Sequence, residues 1–312
     1  MVAIDAMGGD YAPHALILGS LAAAQQNIPL ILFGPQKNLE IILQQADPEW
    51  RRYPITLCDA QDTIAMDEDP VFAIKNKQNS SLVQAVKSVQ DGRCGSVLSA
   101  GNSGALLAAS LMMLGRSGAS RPAIVGFIPT KKWSVIGLDL GANADCRAQH
   151  LVEFAHMGHE YATQTLRWSN PRVALLCNGH ENNKGSRLIK ETFSLLTQFS
   201  TLNFVGNIEP EGVFNNDADI IVMDGFSGNI LLKTMEAIYS VFVRRLTQSC
   251  MQSENIDIQT WGKNFLDDMS KSVDSKKKGG ALLLGVNGRV IVCHGNSDAA
   301  TIVQAIKMAA NM

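Results

Sequence analysis

Ser99-Ala100-Gly101-Asn102-Ser103-Gly104 follows an apolar run and opens ALLAASLMMLG, a segment of strong helix formers. The free N–H groups of a helix's first turn and its dipole favour negative charge, and Gly101 and Gly104 let backbone come close, so the expected chemistry is capture of an anion such as phosphate. The same letters also read as a tight turn with Asn102 or Ser103 as the helix cap. The string has neither the lysine of a P-loop nor the spacing of GxGxxG. DGFSGN at 224–229 repeats the grammar between the run at 219–223 and the apolar-periodic ILLKTMEAIYSVFV. There Asp224 can orient a donor, Ser227 and Gly228 can meet phosphate, and Asn229 can polarise a carbonyl; a capped loop is the alternative. Lys184, in NGHENNKGSR, can set a positive charge beside phosphate or a developing oxyanion, although most lone lysines are solvated surface charges.

Other titratable groups are less suggestive. His294 follows the run Arg289–Cys293 and precedes Gly295-Asn296-Ser297, where an imidazole suits proton transfer as well as a structural bond to backbone. His150, Glu153, His156 and His159 stand three apart. Steps of three rotate around a helix, so these four do not share the one face a metal needs, and no metal is expected. The six cysteines show no CxxC pair and no Cys-His context, so they read as buried free thiols.

The elements that must position these residues follow from the apolar pattern. Short runs at 2–5, 30–33, 97–99, 173–177 and 219–223 alternate with longer segments of helical period, which predicts an α/β fold with a mostly parallel sheet. In such sheets the loops after the strands' carboxyl ends build the ligand site. Two more Gly- and Asn-rich joins therefore enter the candidate set: 5–13, with Gly8, Gly9 and Asp10, and 139–145, with Asn143. No repeat or linker divides the chain, so residues 1–312 are expected to form one two-lobed unit with a helical excursion near 250–280. In that excursion Ile258, Trp261, Phe265, Met269 and Val273 recur at helical spacing with Lys263 and Lys271 between them. Such a stripe packs in a core more often than it lies on a membrane surface.

Composition excludes several classes. With 46% hydrophobic and 18% charged residues the chain is not of disordered composition, and a formal charge of −2 supplies no global field for a nucleic-acid backbone. MVAIDAMGGD lacks the pattern of a signal peptide, and no apolar run reaches the roughly 20 residues of a membrane span. A cytoplasmic protein is expected.

Six strings in order, IDAMGGDYAP at 4–13, IAMDEDPVFAIKNKQNSS at 64–81, SAGNSGA at 99–105, LDLGAN at 138–143, DGFSGNILLKTMEA at 224–237 and LLGVNGRVIVCHGNS at 283–297, closely resemble the PlsX-type phosphate acyltransferases. The resemblance spans nearly the whole chain. It implies a three-layer α/β/α, Rossmann-like fold similar to isocitrate and isopropylmalate dehydrogenases and to phosphate acetyltransferase, no cofactor, and a homodimer. It further implies acyl carrier protein as donor, inorganic phosphate as acceptor, a downstream glycerol 3-phosphate acyltransferase, and peripheral membrane contact in some members. Departures from the family pattern occur at Cys177, Asn178 and His180, at Pro210-Glu211-Gly212, at Lys277 and Lys278, and at Leu282, while Lys184 and Gly185 are retained. The expected mechanism is direct attack of phosphate on an acyl thioester, with Lys184 and the loop amides holding phosphate, Asn229 at the oxyanion and His294 as an optional proton donor. Lys271 and Lys276–Lys278 are the basic residues expected to meet the acidic carrier protein. The rivals are a coenzyme A-dependent phosphate acetyltransferase and a non-catalytic scaffold. A nicotinamide dehydrogenase is disfavoured by the missing GxGxxG.

Overall fold

Parallel strands covered by helices have no water-facing side, which is why Val2-Ala3-Ile4 and Leu30-Ile31-Leu32-Phe33 show no polar alternation and are buried throughout. The computed structural model describes residues 1–131, 135–253, 255–273 and 279–311; the side chains of Met251 and 267–273 lie outside that description. The chain divides into two compact units, Met1–Gly126 with Lys276–Met312, and Phe127–Ser275.

The first unit begins β1 (Val2–Asp5), α1 (His14–Ala24), β2 (Leu30–Gly34), α2 (Gln36–Ala46), β3 (Ile55–Asp59), α3 (Pro70–Asn76), α4 (Ser81–Gln90), β4 (Ser96–Ser99) and α5 (Ser103–Ala109). A π-helical turn, Ser110–Leu114, extends α5, and β5 (Ala123–Ile128) carries the chain into the second unit. That unit contains β6 (Val135–Leu138), α6 (Ala148–Glu160), β7 (Arg172–Leu176), α7 (Arg187–Leu196), β8 (Asn203–Ile208), α8 (Pro210–Asn215), β9 (Ile220–Val222), α9 (Gly225–Met251) and α10 (Ile256–Val273). The chain then returns with β10 (Ala281–Leu284), β11 (Arg289–Val292) and α11 (Ala299–Asn311).

In the first unit the strand order is β3-β2-β1-β4-β11-β10-β5, parallel from β3 to β11, with β10 antiparallel to both its neighbours. Side chains alternate across that sheet. Ala3, Ile31, Phe33, Val97 and Val290 face one core with α4 and α5. Val2, Ile4, Leu30, Leu32, Leu98 and Ile291 take the opposite face, where α1 and α11 pack so closely that a Cβ on Gly19 would sit 2.7 Å from Ile302. Helix, sheet, helix is the layering expected of the sequence. The second unit orders its strands β6-β9-β7-β8, all parallel. Arg172, at the start of β7, grips Asp219, the residue before β9, with Nε and Nη2 at 3.0 and 2.9 Å.

The described part of the stripe near 258 is not packed in a core. Ile258, Trp261 and Phe265 are exposed on α10, Trp261 at 58%, with the rings of Trp261 and Phe265 stacked at 5.2 Å. The side of α10 that packs is the one carrying buried Gly262, which lies against Cys250 of α9. The side chains of Met269, Lys271 and Val273, and the run Lys276–Lys278, lie outside the described residues. Among the described residues no helix is long and apolar enough to cross a membrane.

Candidate functional site

Each unit gathers Gly-rich turns at the carboxyl ends of its strands around one buried aspartate, and neither aspartate stood among the candidates from sequence. In the first unit Asp5, the last residue of β1, is buried. Its carboxylate accepts the hydroxyls of Ser81 at 2.5 Å and Ser99 at 2.6 Å, and the Ser99 hydroxyl in turn accepts the Gly101 N–H at 3.0 Å. Gly8 and Gly101 sit back to back: a Cβ on Gly8 would lie 2.6 Å from both the Asp5 carboxylate and the Gly101 nitrogen. Beyond Gly9 the Asp10 N–H donates to the Gly295 carbonyl at 2.7 Å, which draws the His294–Ser297 turn to the same place. His294 is exposed on that turn.

The structure sharpens the part played by Asn102. Its Oδ1 caps α5 by accepting the Ala105 N–H at 3.0 Å, and its amide donates to the carbonyls of Ala65, Met66 and Glu68. A side chain committed in this way serves the loop's geometry, and Ser103 and Gly104 stand beyond it as the first helical residues, Ser103 exposed.

Burial pushes the Asp5 carboxyl above the ordinary value of 3.8, more strongly than the bonds from Ser81, Ser99 and the Met7 N–H pull it down. Because the folded state then holds its proton more tightly than the unfolded one, Asp5's contribution to stability is full below 3.8 and is lost as pH rises through the raised folded value. Asp5→Asn, which cannot titrate, should therefore gain melting temperature relative to wild type as pH is raised from about 4 towards neutrality. A difference that stays constant across that range would refute the assignment.

The second unit is organised by Asp139, fully buried just after β6. Its Oδ1 accepts the N–H groups of Gly141 and Ala142 at 3.1 and 2.9 Å, and its Oδ2 those of the Asn143 backbone and side chain at 2.7 and 2.8 Å. The Asn143 carbonyl then accepts the Gly225 N–H at 2.8 Å, joining this loop to the start of α9. DGFSGN is thus mostly helix: Asp224 is the cap, accepting the Ser227 N–H at 2.9 Å and hydroxyl at 2.8 Å, and 225–229 form the first turn. Gly228 lies directly against the Asp139 carbonyl, and the Asn229 side chain faces Gly141.

Lys184 is exposed on the loop after β7. Its stem crosses Gly179, where a Cβ would come within 2.9 Å of the Lys184 Cγ, so a glycine there leaves room for the lysine. Asn207, buried on β8, donates to the Glu181 carbonyl at 2.9 Å, and that carbonyl also accepts the Lys184 N–H at 3.0 Å. The thiols are placed otherwise: Cys94, Cys177, Cys250 and Cys293 are buried, and burial pushes the Cys293 thiol up to about 12, far from a reactive thiolate. On α6, His150 accepts the Arg147 N–H while His156 meets the edge of Phe199.

The structure brings Gly8, Gly9, Asp10, Gly101, Asn102 and the His294 turn together in one unit, and Asn143, Asp224, Ser227, Gly228 and Asn229 in the other. The missed residues had a signal: in each case an aspartate ends an apolar strand run and begins a Gly-rich join.

Fold and loops together define an α/β protein of doubly wound type whose strand-end turns are suited to anions. The family described as fatty acid synthesis protein matches residues 1–312, and the chain belongs to it. It is 40% identical over 315 residues to a phosphate acyltransferase of Dictyoglomus turgidum, covering 100% of this chain and 93% of that one. Its fold is similar to that of a phosphotransacetylase from Streptococcus pyogenes, with a TM-score of 0.64 and 17% identity over 100% of this chain and 93% of the other. It is also similar to that of a branched-chain phosphotransacylase from Enterococcus faecalis, with a TM-score of 0.58 and 14% identity over 99% and 97%. The expected likeness to phosphate acetyltransferase is therefore found in the fold.

Proposed function

We propose that the chain is an acyltransferase moving a long-chain acyl group from the thioester of acyl carrier protein onto inorganic phosphate, within lipid synthesis. The observation that carries this reading is full-length membership in the fatty acid synthesis protein family, with a relative named phosphate acyltransferase at 40% identity. In the proposed step a phosphate oxygen attacks the thioester carbonyl carbon and a tetrahedral oxyanion forms. Its collapse breaks the C–S bond, and the thiolate leaves to be protonated by solvent or His294. Lys184 and the loop amides hold the phosphate, and the Asn229 amide stabilises the oxyanion, a contribution worth most where charge develops. The acyl phosphate would feed a glycerol 3-phosphate acyltransferase.

Release of free carrier protein from acyl carrier protein, with and without phosphate, tests the reaction class; release independent of phosphate would overturn it. A phosphate acetyltransferase sharing the fold would instead prefer acetyl-coenzyme A. A scaffold would bind carrier protein with no phosphate-dependent release.

The reading places the protein in the cytoplasm as a homodimer, resting on the inner face of the membrane through α10. The exposed, stacked Trp261 and Phe265 with Ile258 support that contact. Phe265→Glu should reduce flotation with anionic liposomes, and flotation equal to wild type would count against it.

A further inference from the structure

The segment from Ile64 to Phe72, between β3 and α3, spends most of its polar groups on itself. The Glu68 carboxylate accepts the Ala65 N–H at 2.7 Å and pairs with Lys77 at 2.5 Å, while the Lys77 ammonium also reaches the Thr63 carbonyl at 2.8 Å. Asp69 caps α3 by accepting the Phe72 N–H at 2.8 Å. Apart from Asp67 and Asp69, what the segment turns to solvent is largely apolar: Met66 is 52% exposed, Val71 46% and Phe72 66%. Three large apolar side chains in seven residues are not dispersed surface.

This patch is fastened to the anion-ready loops. The Asn102 amide donates to the carbonyls of Ala65, Met66 and Glu68 at 3.1, 3.3 and 3.0 Å while its oxygen caps α5. Pro70 packs on the first turn of α5 so tightly that a Cβ on Gly104 would come within 2.7 Å of its ring. The Met66 methyl lies beside Gly295, whose carbonyl holds Asp10.

We infer that this segment seats the acyl chain of the thioester, with Met66, Val71 and Phe72 as its contact side chains and Asn102 as the positioning residue that ties the seat to the anion-ready loop at 99–104. The inference rests on the proposed acyl transfer to phosphate. An acyl chain begins at the reacting carbonyl, so it must run outward from whatever holds the phosphate, and the methylenes beyond the fourth carbon need apolar contact close by. Three side chains are too few for a protein partner, which would cover about 800 Å² on this side. Met66 is unbranched and polarisable, which suits a ligand of variable length.

The test compares kcat/KM for palmitoyl and butyryl thioesters of acyl carrier protein in wild type, in Met66→Ser combined with Phe72→Ser, and in Asn102→Asp. The double substitution lies at the surface and should leave the melting curve in place. Asn102→Asp keeps the oxygen that caps α5 but turns a second oxygen onto three carbonyls. The palmitoyl-to-butyryl ratio should fall about tenfold in the double variant, the effect of losing contact with one or two methylenes, and should fall as well in Asn102→Asp. An unchanged ratio in the double variant, including an equal loss with both donors, overturns the seat. A fall there with an unchanged ratio in Asn102→Asp overturns the role of Asn102. Wild type that makes acyl phosphate from neither donor overturns the parent reading instead, so the failures are distinguishable.

Discussion

Gly228→Ala is expected to reduce acyl-phosphate formation to about a hundredth of wild type or less and to destabilise the chain by about 3 kcal/mol. Helix propensity alone predicts the opposite sign, since alanine in place of glycine inside a helix is ordinarily worth about 1 kcal/mol of added stability. At this position the new methyl runs into the Asp139 carbonyl, and both partners are backbone, so neither can swing aside. Relief requires the start of α9 to move away from the loop that Asp139 organises, which displaces Asn229 and opens the bond from the Gly225 N–H to the Asn143 carbonyl. The overpacking cost exceeds the propensity gain, and the sign of the change decides between them. A thermal melt showing Gly228→Ala at or above wild-type stability would show that this contact does not hold the two segments together.

Lys184→Ala should act on turnover and spare the fold. Removing one charge that holds phosphate or a developing oxyanion typically costs a factor of about 100 to 1,000. The side chain is exposed, and the loop's backbone is kept by Asn207 and the turn from Glu181 to Lys184, so stability should stay within about 0.5 kcal/mol of wild type. An acyl-hydroxamate assay with carrier-protein donor and phosphate reads the first effect, and circular dichroism the second. Wild-type turnover in Lys184→Ala would remove the lysine from the site, whereas a matching loss of folded protein would make its role structural.

Much of the architecture was legible because it is local. A parallel strand buried on both faces must be an unbroken apolar run, so 2–5, 30–33, 97–99, 173–177 and 219–223 declared themselves within a residue or so of β1, β2, β4, β7 and β9. The start of α5 was marked by Asn102, because a cap bonds N–H groups only three residues away, and Asp224 and Asp298 cap α9 and α11 in the same way. The Gly-rich turns were therefore readable letter by letter.

The division of labour inside those turns was not legible, because it depends on residues remote in sequence. Ser81 and Ser99 come to Asp5 from 76 and 94 positions away, and Asn102 reaches carbonyls 34 to 37 residues upstream. Burial of Asp5 and Asp139 is a property of the packed sheet, and no local pattern separates an aspartate that will be dehydrated from one that will cap a turn. The amino-acid order thus determined where strands end and where Gly-rich turns follow them. Tertiary packing alone decided which polar side chains are consumed in holding the loops, since a hydrogen bond forms only with the partner that the fold brings within about 3 Å.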